Sequence, residues 1–264
     1  IWYNALRDKT AKKVYEHGLP LLLDLYEKYN IKTTFFVTGY IAKLYPGIVK
    51  KIGNRGHEIG SHGLSHKKDH GFDILSYNEQ VKHLKESKKI LEDICGNEVI
   101  SFRSPALRIS DHTVQSLQEA EYRIDSSVAS HRLDMFMSIG TKKKLKWLTS
   151  PRLPYQASSK SIFKKGNSDI IEVPLSAFGI PYIGTTMRIF PFITRVQKHL
   201  LHFETLFNKN PIVFNIHPNE FINEANGRRK IRMRHNNKLS SFFKDHLRGK
   251  LKVKNLGRRA LRMY

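Results

Sequence analysis

A single cysteine, Cys95, in 264 residues leaves no partner for an internal disulfide and no thiolate set for a Cys-based zinc site. Long apolar runs are missing as well. The cluster from Leu19 to Leu25 is broken by Asp24, well short of the roughly 20 residues a membrane helix needs. Acidic residues are scarce, with 23 Asp+Glu against 46 Lys+Arg and a formal charge of +23. Much of that excess lies at one end: Asn226 to Tyr264 holds 14 Lys+Arg and one acid, Asp245. A basic tail over 226–264 suggests an anionic partner such as a membrane surface, an acidic glycan or nucleic acid. The competing reading is a solvated end with no partner. The chain opens at Ile1 with neither Met nor a signal-peptide pattern, and is expected to be part of something longer. The compartment stays open between the cell envelope and the cytoplasmic face of the membrane.

What is present is ordinary globular material. Forty per cent hydrophobic residues suffice for a packed core, and α/β barrels of about 250 residues commonly form one domain. Apolar spacing predicts a helix over 8–29 with a kink or break at Pro20, then a buried strand over 31–37. Further along, a helix is expected over 41–55 and a strand over 57–61. A long helix over 76–95 is capped by Ser76 and stopped at Gly96. Strand 99–102, helix 111–121 and strand 122–125 continue the alternation, which implies a parallel sheet with helices outside. Residues 131–166 read as a loop-rich insertion. A strand at 170–173, a helix over 190–207 and a β run at 211–216 (PIVFNI) follow. One domain over 1–225 plus the basic tail over 226–264 is the economical organisation.

Four predicted strands end in ionisable groups. In GHEIGSHGLSH, His62 and His66 stand four apart just past a strand. On a helical turn that spacing puts two imidazoles on one face about 5–6 Å apart, within reach of one metal ion; two surface histidines are the alternative. In IVFNIHPNEF, His217 follows a β run, where barrel enzymes keep catalytic groups, and its imidazole suits proton transfer near neutral pH. Arg103 in FRSPALRIS and Asp125 in YRIDSS also sit at strand ends, where a surface ion pair and a turn cap are the plainer readings. Four such coincidences at one end of successive strands point to a shared mouth.

TTFFVTG, GHEIGSHGLSH, FRSPA, YRIDSS and IHPNEF, in that order, resemble the polysaccharide deacetylase family over about 17–223. The resemblance implies a distorted (β/α) barrel with fewer than eight strands, whose first strand lies upstream of Ile1. It implies that His62 and His66 ligate zinc or another divalent metal, with an aspartate of that upstream strand as third ligand and a neighbouring aspartate as general base. Arg103 would orient the base, and the Ala106 N–H would face the oxyanion. Asp125 would hold His217, the general acid. Asn215 replaces the apolar residue that usually lines the acetyl pocket, which puts acyl selectivity in question, and no aromatic follows the Arg-Pro motif at Leu107 and Arg108. The function implied is metal-dependent removal of N-acetyl groups from an acetylated polysaccharide or envelope sugar. Two rivals are a relative hydrolysing a non-peptide C–N bond of a non-sugar substrate, and a catalytically silent module that binds glycans or anionic surfaces. Nucleic acid ranks last, because the basic residues lack interleaved stacking aromatics.

Overall fold

A computed structural model of the chain describes residues 8–130, 146–222 and 254–264. Part of the expected insertion (131–145) and most of the expected tail (226–253) lie outside the described residues. Helix α1 (Asp8–Lys13) runs through a π turn (Val14–Gly18) into α2 (Leu19–Lys28). The irregularity therefore precedes Pro20, which sits in the first turn of α2, where its missing N–H costs nothing.

Strands β1 (Thr34–Val37), β2 (Glu58–Ser61), β3 (Ser101–Phe102) and β4 (Ile124–Asp125) pair in parallel in that order. The sheet continues through β7 (Ile171–Glu172), parallel to β4, and then antiparallel through β5 (Tyr155–Ser158) to β6 (Ser161–Lys165). Among the described residues, seven strands in the order β1-β2-β3-β4-β7-β5-β6 thus form an open α/β sheet rather than a closed barrel. The β5–β6 hairpin gives ordered structure to the second half of the region expected to be loop-rich. A short hairpin, β8 (Ala177–Phe178) with β9 (Ile180–Pro181), stands apart.

The crossovers are helical. Expected helix 41–55 is two pieces, α3 (Gly39–Leu44) and α4 (Pro46–Asn54), because Pro46 starts a new first turn. Helix α5 (Tyr77–Cys95) has the expected Ser76 cap, reciprocated by Glu79, and ends at Gly96 with φ 71°. It buries Leu84 and Leu91. Helix α6 (Thr113–Glu119) buries Val114 and Leu117 against the same core as Phe102, Tyr122, Trp147 and Ile162. Helices α7 (Gly184–Ile189), α8 (Pro191–Asn208) and α9 (Arg258–Leu261) follow among the described residues.

PIVFNI is not a strand. It is extended, but its hydrogen bonds go to an irregular neighbour: Ser176 N–H to Val213 O at 3.1 Å, Val213 N–H to Ser176 Oγ at 2.9 Å and Gly184 N–H to Asn215 O at 2.8 Å. Only an isolated parallel bridge, Ile183 with Asn215, results. Among the described residues no strand lies alongside to supply a continuous ladder, and Pro211 has no N–H to give one.

Candidate functional site

The first half of the site hangs on the parallel ladder. Val37 pairs with Ser61, the His62 N–H donates to Val37 O at 2.9 Å, and the Arg103 N–H donates to Ser61 O at 2.9 Å. Backbone hydrogen bonds thus fix His62 and Arg103 at the carboxyl ends of β2 and β3. Gly63, at φ 66°, turns the chain off β2 in a conformation other residues rarely adopt. The turn is held from outside by Gly39 N–H to Gly63 O at 3.0 Å and Tyr40 N–H to Leu64 O at 2.9 Å.

His66 lies in this loop and not on the helical turn expected from its spacing. The two imidazoles nevertheless meet, with Nε2 atoms 2.9 Å apart. His62 Nδ1 donates to Arg103 O at 2.5 Å, which leaves its Nε2 lone pair directed at His66. Burial, then the nearby His66, pushes the His62 pKa well below its ordinary value. Burial and the nearby His217 lower that of His66 to about 4. Both rings are neutral at pH 7, the form that ligates metals. As donors the pair fits one divalent ion at about 2.0–2.1 Å per nitrogen. Among the described residues no third His, Cys, Asp or Glu joins them; Asp69 is exposed.

Arg103 is buried, and burial lowers its pKa only to about 10, so it stays charged. Its Nε donates to Ser126 O at 2.8 Å, one Nη to Ser126 Oγ at 2.6 Å and the other to Asn215 Oδ1 at 3.1 Å. Its plane lies over Phe36 at 4.4 Å. The polar residue at 215 is therefore the partner of this guanidinium. After β3, Ala106 (φ 57°) and Leu107 (φ 54°) are both left-handed, at a cost of about 1–2 kcal/mol each. Arg108 anchors this loop to Asp73 at 2.6 Å. Ala106 is half-buried, and its N–H makes no hydrogen bond among the described residues.

Asp125 is fully buried, and its partners are Ser127 and Glu172. Its Oδ1 accepts from Ser127 Oγ at 2.5 Å, and across the β4–β7 register it faces Glu172. Glu172 Oε1 accepts the Val128 N–H at 3.0 Å. The remaining oxygens, Asp125 Oδ2 and Glu172 Oε2, have no donor. Burial, with its neighbour's charge, raises the Glu172 pKa well above normal, and burial raises that of Asp125. A proton shared between these carboxyls accounts for the two orphan oxygens.

The carboxylate set against His217 is instead Glu220, with Oε1 3.7 Å from His217 Nδ1. His217 is exposed while Glu220 is buried. Glu220 also accepts from Arg188 at 3.0 Å, a pair 3% exposed on both sides, and from the Tyr264 hydroxyl. Burial alone would raise its pKa, but His217, Arg188 and Tyr264 together hold it below the ordinary value. Neighbouring backbones close tightly around this turn. A Cβ on Gly18 would lie 2.4 Å from Pro218 O, and one on Gly184 2.2 Å from Glu220 Oε2. Residues 254–264 pack on the turn from the far side: the Gly257 N–H donates to Glu220 O at 3.1 Å, Asn255 donates to Arg188 O at 2.7 Å, and Ala260 is buried. Glu220 had a local signal, an acid three residues after His217. Arg188 and Tyr264 had none, because they are joined to it only by long-range contacts.

Residues 9–124 match the family described as polysaccharide deacetylase. The chain is 24% identical over 164 residues to a peptidoglycan deacetylase of Helicobacter pylori, covering 60% of this chain and 53% of that protein. It is 32% identical over 105 residues to a peptidoglycan-N-acetylglucosamine deacetylase of Bacillus cereus, covering 40% of this chain and 37% of that one. The chain thus spans about half or less of the length of these relatives. In fold it is similar to a polysaccharide deacetylase structure from Mycobacterium smegmatis, at TM-score 0.56 and 20% identity over 79% of this chain and 66% of that one. A PuuE allantoinase structure matches at TM-score 0.51 and 16% identity, over 79% of this chain and 62% of that one.

Proposed function

We propose that this chain, whose residues 9–124 match the polysaccharide deacetylase family, belongs to an amide hydrolase that removes N-acetyl groups from an acetylated glycan. One observation carries the reading. His62 and His66 bring two neutral Nε2 atoms to 2.9 Å at the mouth of a parallel sheet, and His217 lies near enough to depress the pKa of both. His62 and His66 would hold a divalent ion, zinc or another. When bound, such an ion supplies Lewis-acid polarisation of the acetyl carbonyl.

No described residue is assigned as the base that takes the proton of the attacking water; the chain's own residues have the following roles. The exposed imidazole of His217 delivers a proton to the departing amine nitrogen. Glu220, fixed by Arg188 and Tyr264, orients that ring. The Ala106 N–H, aimed by the left-handed Pro105–Leu107 turn, donates to the developing oxyanion. Arg103 clamps Asn215, which forms a polar wall beside the acyl group. Asp125 supports the site through Ser127 and Glu172.

The test is acetate release from N-acetylchitooligosaccharides and from peptidoglycan by the full product of the gene, with bound metal quantified in parallel. Metal content should fall and hydrolysis should cease in His62→Ala and in His66→Ala. Unchanged metal stoichiometry in both variants overturns the reading.

A further inference from the structure

Helix α8 is packed inside out. The side it turns to the domain is mostly polar: Thr194 and Gln197 are buried with Leu201, and Glu204 is tied to Arg152 at 2.7 Å. Gln197 donates to Ile180 O at 2.6 Å, so this face is anchored by hydrogen bonds. The side it turns to solvent carries Phe192, Ile193, Val196, Leu200, Phe203 and Phe207, with the three phenylalanines 76%, 61% and 74% exposed. At about 100° per residue these six fall within an arc of roughly 100°, beside the anchored face and turned away from the domain. A continuous apolar stripe of this kind marks an interaction surface.

Charge indicates what covers it. Arg195 and His202 follow exposed Leu206 on one flank of the stripe, Lys198 lies further round on the reverse side, and Lys209 caps the end of the helix. The one acid of α8, Glu204, is on the anchored face and is already paired. Arg195, Lys198 and Lys209 make no ion pair among the described residues, in a chain of formal charge +23. Cations along one edge of an aromatic-rich apolar stripe match an amphipathic helix lying in the plane of an anionic bilayer. Among the described residues no helix is long and apolar enough to cross a membrane, so the contact would be lateral.

We propose that α8 docks the domain onto an anionic lipid surface, with its phenylalanines in the acyl boundary, Arg195 at headgroup level and Lys198 and Lys209 adding to the basic charge of the same helix. This inference does not rest on the proposed hydrolysis. Flotation of the full protein with vesicles of phosphatidylcholine and phosphatidylglycerol, against phosphatidylcholine alone, tests it. Binding should require the anionic lipid and weaken with salt. The triple variant Phe192→Glu, Phe203→Glu, Phe207→Glu keeps every basic residue and should bind at least about tenfold more weakly. Arg195→Glu with Lys198→Glu, which leaves the stripe intact, should weaken binding about fivefold per residue at low salt. All these side chains are exposed, so thermal melts should match the parent and separate binding from folding. Unchanged binding of the triple variant overturns the proposal, because other cations would then hold the vesicle. A parent that ignores vesicles and dimerises through this face, with the triple variant monomeric by light scattering, overturns it in favour of a second copy.

Discussion

The two histidine-bearing halves of the site are built by opposite means. His62 is placed by backbone: parallel ladders on both sides of β2, a carbonyl on its Nδ1 and a glycine turn after it. His217 follows a segment with no ladder and is placed by side chains, through Glu220, Arg188 and Tyr264. Backbone geometry survives most single substitutions, because every residue supplies the same donors and acceptors. A buried polar network does not, since removing one member strands the others. Changing His62 or His66 should therefore cost function cleanly, whereas changing the buried groups that hold His217 should cost function and stability together.

The largest effect is expected in the first half. His62→Ala or His66→Ala should remove bound metal and lower kcat/KM at least about 10³-fold, equivalent to several kcal/mol of charge stabilisation, with the melting temperature of the metal-free protein little changed. Calorimetry of metal-stripped samples beside metal analysis checks both parts. Next comes His217→Asn, with a fall of about 10²–10⁴ in kcat, metal retained and stability preserved because the ring is exposed. If activity stays within a few-fold of the parent, His217 is not the proton donor.

That division also explains what was legible in the sequence. The alternation of helices and strands up to Asp125 rests on local periodicity, and α5 with its Ser76 and Gly96 boundaries follows from capping chemistry. His62 and His66 stood out by spacing, although a loop rather than a helical turn brings them together. PIVFNI carried the strongest β signal yet forms only one bridge, because ladder pairing depends on a neighbour that propensity cannot supply. Asp125 was assigned to His217 by resemblance, whereas β4–β7 register turns it to Glu172. The Arg188–Glu220–Tyr264 network joins residues 32 and 44 positions apart and leaves no local trace.

Glu220→Gln sharpens the comparison on stability. It weakens the buried pairing of the Arg188 guanidinium with residue 220, which should cost about 3 kcal/mol. The pH dependence has a definite sign. The folded-state pKa of Glu220 lies below its ordinary value of 4.5, so its contribution is complete above that value and is lost as pH falls through the folded one. Parent and variant should thus differ most at neutral pH and converge in acid. Denaturant titrations at neutral and acid pH measure this, and a gap that widens in acid contradicts the network.

Tyr264→Phe should have the smallest effect, and it separates packing from hydrogen bonding in the same network. The ring of Tyr264 lies 5.7 Å from Phe214 and 5.2 Å from Phe221, contacts that phenylalanine keeps. Only the hydroxyl on Glu220 is removed. A hydrogen bond to a charged group contributes about 1.5–3 kcal/mol, and Arg188 continues to neutralise Glu220, so a loss of about 1–2 kcal/mol is expected. The carboxylate would then be less firmly held, with one partner fewer to keep its pKa low, and His217 would be oriented less well. Activity should fall less than about tenfold, in kcat rather than KM, because the substrate-facing groups are untouched. If Tyr264 is only a packing residue, Phe will match the parent in stability and kcat, while Tyr264→Ala will still destabilise. If Phe instead lowers kcat as far as Glu220→Gln does, the hydroxyl and not the Arg188 pair is the main hold on Glu220, and the two halves differ more sharply than the contacts alone suggest.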